Sequence, residues 1–262
     1  MNICSSFFGL TLVILFSGIH SAALTVKNNC PYTIWPAIIT NPGVAQLSKT
    51  GFELASQASV SLDTPAEFAG RLWARTHCSS NSSGGFACAT ADCGSGQVAC
   101  NGSGGASPAT LLEFTLASKG GQDFYDISLV DGFNLPVSIT PQGGSGENCT
   151  SISCNAKLSC PSEIAVTGSD ESIIGCHNAC VALKEAKYCC SGENNSPSTC
   201  KPSIYSMFFK NQCPEAYSYA YDDPSSTFSC IGNPNYLITF CPNSEIVAKE
   251  NNLFKCTIYM QI

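Results

Sequence analysis

Four carboxylates in this 262-residue sequence stand where acid–base or sugar-binding chemistry could be done. Glu113 lies between Leu112 and Phe114, so on a strand it points away from their apolar face. Asp126 alternates in the same way with Ile127 and Leu129. Asp131 has the opposite parity, but Asp131-Gly132 is a turn signal, and a strand ending at Val130 frees Asp131 to swing to the side of the others. Asp222 shares a face with Ser218 and Ala220, opposite Tyr217, Tyr219 and Tyr221, and small residues leading to a carboxylate leave room for a ligand. With one arginine, Arg71, such a cluster suits two jobs. One is hydrogen-bonding of sugar hydroxyls. The other is glycoside hydrolysis, in which a carboxyl of raised pKa protonates the leaving oxygen and an ionised partner acts as nucleophile or activates water. Glu113 is the expected acid, Asp131 or in second place Asp126 its partner, and Arg71 the cation that holds the remaining acids ionised. A separation of about 5 Å would mean retention and about 6.5–9.5 Å inversion. Taken alone, the same acids are explained more readily as solvated strand ends.

Other catalytic constellations are absent from the sequence. There is no Gly-x-Ser-x-Gly elbow and no Gly-rich phosphate loop ending in Lys-Ser/Thr. Beyond the N-terminal leader the histidines are His77 and His177, each beside a cysteine. His177 with Cys176 and Cys180 could suggest a metal, but no Cys-x-x-Cys occurs and an oxidising compartment makes disulfides the better reading. No metal and no cofactor is expected. Asn81, Asn101, Asn148 and Asn194 open glycosylation sequons; Cys149 beside the third and Pro197 after the fourth disfavour those two. Phe208-Phe209 beside Met207 reads as ordinary core before it reads as an exposed contact.

The elements that must position these residues are short strands. Charged residues are 12%, about half the usual share, and the net charge is −7. That balance excludes a nucleic-acid partner and docking on an anionic membrane. Apolar residues at 44% supply a core, while 22 glycines and 14 prolines argue against a helix-rich fold. Strand patterns run over 24–26, 32–35, 60–62, 72–74, 110–116, 124–130, 137–139, 217–221 and 236–240, separated by turn residues, which implies a β-sandwich or barrel. Helical stretches are expected only within 173–188. The apolar run 7–16 and Ser21-Ala22-Ala23 make 1–23 a signal peptide, too short to span a bilayer. Of 18 cysteines, Cys4 leaves with it. Adjacent Cys189 and Cys190 should each take another partner. Spacing alone cannot choose among the pairings of the rest.

One segment is more specific. Residues 84–100 read Gly84-Gly85-Phe86-Ala87-Cys88-Ala89-Thr90-Ala91-Asp92-Cys93, then Gly96 and Cys100. This resembles the thaumatin-like pattern Gly-x-Phe-x-Cys-x-Thr-Ala-Asp-Cys with spaced Gly and Cys, and the resemblance extends over 24–242. Asn29-Cys30-Pro31-Tyr32-Thr33, Cys213-Pro214-Glu215-Ala216-Tyr217 and Thr239-Phe240-Cys241-Pro242 support it.

The resemblance implies a mainly β fold, a flattened β-sandwich with two disulfide-rich flanking lobes. The sandwich would take 24–77, 107–148 and 214–242, the small lobe 78–106 and the larger lobe 149–213. It implies the pairs Cys30–Cys241, Cys78–Cys88, Cys93–Cys100, Cys149–Cys230, Cys154–Cys213, Cys160–Cys176, Cys180–Cys189 and Cys190–Cys200, leaving Cys256 over. An acidic cleft would be lined by Arg71, Glu113, Asp126, Asp131 and Asp222, with Asp223 as the substitute for Asp222. The implied function is that of a secreted, antifungal plant defence protein, a monomer that binds β-1,3-glucan and leaves weak endo-β-1,3-glucanase activity open. The contrasting class is a non-enzymatic binder that acts on a microbial membrane or inhibits a microbial hydrolase. The apoplast is the expected location. If the tail 243–262 is a sorting propeptide rather than a disordered end, the vacuole is the alternative.

Overall fold

The computed structural model describes residues 22–118 and 121–242; the expected leader through residue 21, and the tail with Cys256, lie outside the described residues. The chain first lays down β1 (Ala23–Asn28), β2 (Trp35–Thr40), β3 (Ser59–Asp63), the long β4 (Ala69–Ser80) and β5 (Phe86–Thr90). β6 (Leu111–Thr115), β7 (Gln122–Ser128), β8 (Val137–Gln142) and β9 (Ile152–Cys154) follow. A hairpin of β10 (Ala165–Thr167) and β11 (Ile173–Cys176) precedes helices α1 (Ala179–Leu183), α2 (Ala186–Cys189) and α3 (Ile204–Gln212). β12 (Phe228–Ile231) and β13 (Asn235–Phe240) return to the sandwich.

One sheet has the order β3-β1-β13-β8-β9, with β1 and β13 parallel. The other has the order β12-β7-β6-β4-β2 and is antiparallel throughout; β5 pairs with the far end of β4 and carries that strand into the small lobe. Alternation builds the layer between them. Leu24 and Val26 of β1, Leu112 and Phe114 of β6, Tyr125 and Ile127 of β7 and Tyr236 and Ile238 of β13 are all buried. The Tyr236 ring joins the sheets, 5.4 Å from Phe114 and 5.3 Å from Tyr125 between centroids. Its hydroxyl donates to the buried Asp123 carboxylate at 2.8 Å, which satisfies the one polar atom it takes into the core.

Several elements differ from expectation. β2 begins at Trp35, because Ile34 makes a lone bridge to Leu54. The stretch 217–221 is not a strand: Tyr217 makes a single parallel bridge to Ser128, and the chain then turns. Side chain competes with ladder here, since Asp222 accepts from both the backbone N–H and the hydroxyl of Ser218. Within 173–188, residues 173–176 are β11, and only α1 and α2 are helical. The longest helix, α3, lies outside that window; a reciprocal Ser203–Ser206 capping box starts it. Phe209 is buried and Phe208 packs on the same core, in keeping with a core role. β9 falls inside the stretch assigned to the larger lobe, yet it pairs with β8 because Ile152 belongs to the sandwich core.

Both lobes have little core, and covalent bonds hold them. Among the described residues the eight disulfides are the eight implied pairs: Cys78–Cys88 and Cys93–Cys100 in the small lobe, Cys160–Cys176, Cys180–Cys189 and Cys190–Cys200 in the larger. Cys149–Cys230 and Cys154–Cys213 tie the larger lobe to the sandwich, and Cys30–Cys241 closes the fold. Arg75 adds a polar clamp. It is fully buried, and its guanidinium donates to the carbonyls of Trp35, Gln97 and Val98 at 3.2, 3.4 and 2.6 Å, pinning the small lobe to the sheet. Burial lowers its pKa, and Asp92 opposes that shift. Peptide mapping of the non-reduced protein should recover these eight cross-links. A free thiol at any of the sixteen positions would contradict the arrangement.

Candidate functional site

Register brings the acids together. In the ladder β4–β6–β7, Arg71 pairs with Glu113 and Glu113 with Asp126, so the three form one row across adjacent strands. The next row, Leu72, Leu112 and Ile127, is buried, so the pleat turns the charged row to the opposite face. β7 ends at Ser128, and the Gly132 N–H bonds back to the Leu129 carbonyl, forming a turn that carries Asp131. Gly132 has φ of +97° and a Cβ there would lie 2.4 Å from the Cys176 carbonyl oxygen, so glycine is required. Tyr217 extends the edge beside β7 through two backbone bonds of 2.8 Å, to Ile127 and from Leu129.

These pieces enclose an open cavity of about 370 Å³ lined by Arg71, Glu113, Asp126, Asp131, Ser128, Tyr217 and Ala220, among others. Four of the five expected residues therefore share one cavity. Asp222 does not line it. Its carboxylate accepts from Ser218 and from Lys210 Nζ at 3.0 Å, with the two side chains 13% and 17% exposed. Lys210 also donates to the Ala216 carbonyl at 3.0 Å and the Ser226 hydroxyl at 2.9 Å. Asp222 thus fastens the 214–226 loop, which supplies Tyr217 and Ala220 to the wall, onto α3. Asp223 is outside the lining as well; it accepts from the Tyr217 hydroxyl at 3.0 Å. Sequence reasoning set Ala220 on the face with room for a ligand, but missed Tyr217 as part of this wall and Lys210 behind it. Its one usable signal was Tyr217 itself, at the start of the misassigned strand.

The charges divide the row. Arg71 Nε lies 2.6 Å from Glu113 Oε1, with side-chain exposures of 52% and 32%, so this pair holds position more than it stabilises. Asp126 Oδ1 is buried without a hydrogen-bond partner. Burial above all, then Glu113, pushes the Asp126 carboxyl up to about 8; Arg71 opposes this and Asp223 adds to it. Burial also raises Asp131, again opposed by Arg71. The strongly raised carboxyl is thus Asp126: strand pairing gives the arginine to Glu113 and leaves Asp126 in the more buried position.

A stability consequence follows. Asp126 titrates near 3.8 when unfolded and near 8 when folded, so between those values the native state holds a proton that the unfolded chain has released. Stability contributed by this group therefore falls as pH rises from about 4 to about 8. Asp126→Asn, which cannot ionise, should gain stability on the wild type by at least about 1 kcal/mol more at pH 8 than at pH 5. Denaturant unfolding with disulfides intact would measure it, and equal differences at both pH values would refute the assignment.

The remaining candidates sit elsewhere. Cys176 and Cys180, beside His177, are both in disulfides, and His177 Nδ1 instead meets the Ser107 hydroxyl at 2.9 Å. The sequon residues Asn81, Asn101 and Asn148 are exposed, and Asn194 is half-buried in the larger lobe. Among the described residues no helix is long and apolar enough to cross a membrane.

The chain is similar to known proteins. Residues 28–242 match the thaumatin family. The chain is 58% identical over 241 residues to thaumatin-like protein 1a of Malus domestica, covering 91% of this chain and 98% of that one. It is 58% identical over 236 residues to a protein of Prunus avium named glucan endo-1,3-beta-glucosidase, covering 89% and 96%. Among solved structures, the GH family 64 laminaripentaose-producing beta-1,3-glucanase of Paenibacillus barengoltzii shares the fold, with a TM-score of 0.52 at 13% identity, covering 84% of this chain and 74% of that one. With its sandwich, its eight disulfides and a family match over most of its length, the chain belongs to the thaumatin family.

Proposed function

We propose that this is a secreted plant defence protein whose cleft binds the β-1,3-glucan of fungal walls. One observation carries the reading: the row Arg71, Glu113 and Asp126, with Asp131 beside it, opens on a single cavity. The 58% identity to a protein named for the same linkage supports it. Carboxylates accept from sugar hydroxyls and the guanidinium donates to them, so the row reads a polyhydroxylated chain without needing charge on it. Eight disulfides suit the oxidising compartment that secretion implies. Calorimetric titration with a β-1,3-linked glucose hexasaccharide should show binding, with the β-1,4-linked hexasaccharide as control. Arg71→Ala and Glu113→Gln should each weaken it about tenfold. Unchanged affinity in both variants would sink the proposal.

A second reading, weak hydrolysis, is favoured by the contrast between the neighbouring carboxyls. Asp126 keeps a proton at neutral pH, while Glu113 is paired with a cation. Glu113 and Asp126 face each other on adjacent strands, where Cβ atoms stand about 4.5–5.5 Å apart, and carboxyls held about 5 Å apart would act as a retaining pair. In this mechanism Asp126 protonates the leaving glycosidic oxygen while Glu113 attacks the anomeric carbon. Water, deprotonated by Asp126, then releases the sugar with its configuration kept.

A further inference from the structure

The acidic cavity adjoins a second one. Val130, Asp131 and Ala220 also line a second cavity, of about 240 Å³, that runs into the larger lobe. That cavity in turn shares Lys187, Tyr188, Lys201 and Ser203 with a third, of about 440 Å³, at the surface of the lobe. The three adjoin through these shared residues, and the chemistry changes from one to the next. Asp131 is the last carboxylate in the lining; beyond it come Tyr188, Tyr205 and Tyr219, then the two lysines.

The lobe end is built as a rigid surface. Cys180–Cys189 and Cys190–Cys200 fasten α1, α2 and the chain before α3 to one another, and all four cysteines line the second cavity. Tyr205 stands edge-on to Tyr188, with ring centroids 5.6 Å apart at 85°. Lys187 Nζ lies 4.6 Å from the Tyr188 ring centroid and is also paired with Glu185 at 2.6 Å, so one face of Tyr188 is taken. The half-buried rings of Tyr205 and Tyr219 carry no cation among the described residues. Flat amphipathic rings fixed beside hydroxyl and ammonium donors suit the apolar faces and hydroxyl edges of pyranose units.

Resting on the glucan reading of the acidic row, we propose that the adjoining cavities form one trough, a set of additional sugar subsites. A β-1,3-glucan chain passes Asp131 and Ala220 and lays further glucose units on Tyr205 and Tyr219. The ligand is then a long internal stretch of polymer, and affinity rises with chain length beyond what the acidic row alone can hold.

The test is calorimetric titration with β-1,3-linked glucose oligomers of three and of seven units, against wild type, Tyr205→Ala, Tyr219→Ala and Tyr205→Phe. Wild type should bind the longer oligomer about tenfold tighter. Each alanine variant should lose most of that gain while keeping its affinity for the trisaccharide, and Tyr205→Phe should retain it. Equal affinity of wild type for the two oligomers, or alanine variants that keep the gain, would overturn the subsites while leaving the acidic row as a glucan site. No binding of either oligomer to wild type would overturn both readings. Retained trisaccharide binding also shows that each variant is folded.

Discussion

Lys210→Met is expected to destabilise the protein by about 3–5 kcal/mol, the cost of stranding one member of a buried ion pair. Lys210 and Asp222 are only 17% and 13% exposed, and their 3.0 Å contact is supported by the Ala216 carbonyl and the Ser226 hydroxyl. Methionine keeps much of the apolar stem but removes every donor, leaving the Asp222 carboxylate with Ser218 alone. The double variant Lys210→Met/Asp222→Leu should recover much of the loss, because the stranded charge is then gone. Since the fastened loop carries Tyr217 and Ala220, the single variant should also weaken glucan binding without touching the acidic row. Thermal and denaturant unfolding would measure both effects on stability. A loss below about 1 kcal/mol would show that Asp222 is not the anchor of the cleft wall.

Asp126→Asn is expected to lower glucan hydrolysis by about 10²–10⁴-fold, the usual contribution of a general acid. Oligosaccharide affinity should stay within about threefold of wild type. Asparagine has the shape of the protonated carboxyl but no proton to deliver. In the wild type, turnover should fall as pH rises past about 8, where Asp126 gives up its proton. Release of reducing ends, followed across pH, gives both numbers. The anomer first formed, read by NMR, should have the configuration of the substrate. Undiminished turnover in Asp126→Asn would remove the acid from this mechanism. A wild type that binds glucan but releases no reducing ends at any pH would leave a pure binder. The same substitution is expected to gain more stability at pH 8 than at pH 5, so its effects on turnover and on the fold are read separately.

Much of the sandwich was legible because its strands follow a period of two. Leu24 and Val26, Leu112 and Phe114, and Tyr236 and Ile238 alternate as buried pairs, and Glu113 and Asp126 stand out of phase with such neighbours. What periodicity cannot show is register. Nothing local says that Glu113 faces Arg71 on one side and Asp126 on the other, and that pairing decides which acid takes the cation and which is pushed up. The 217–221 stretch failed for a different reason. Its alternating tyrosines imitate a strand, but Ser218 and Asp222 close on each other and Lys210 locks the turn from the preceding helix α3, a contact that strand periodicity does not report. Helix α3 itself was hidden because Ile204 is 77% exposed while Ser206 is buried, which blurs its apolar stripe. Arg75 gave no sign at all, since most of its hydrogen bonds go to backbone carbonyls that any sequence would provide.

The most direct test of the account is a crystal structure of the protein with a β-1,3-linked glucose hexasaccharide. The account predicts sugar hydroxyls or a glycosidic oxygen within hydrogen-bond distance of the Asp126 carboxyl, which lines the cavity. Glu113 and Asp131 should contact the same chain, and Asp222 should still be bonded to Ser218 and Lys210. A hexasaccharide seated away from Arg71, Glu113 and Asp126, or a cleft left empty at saturating ligand, would contradict it.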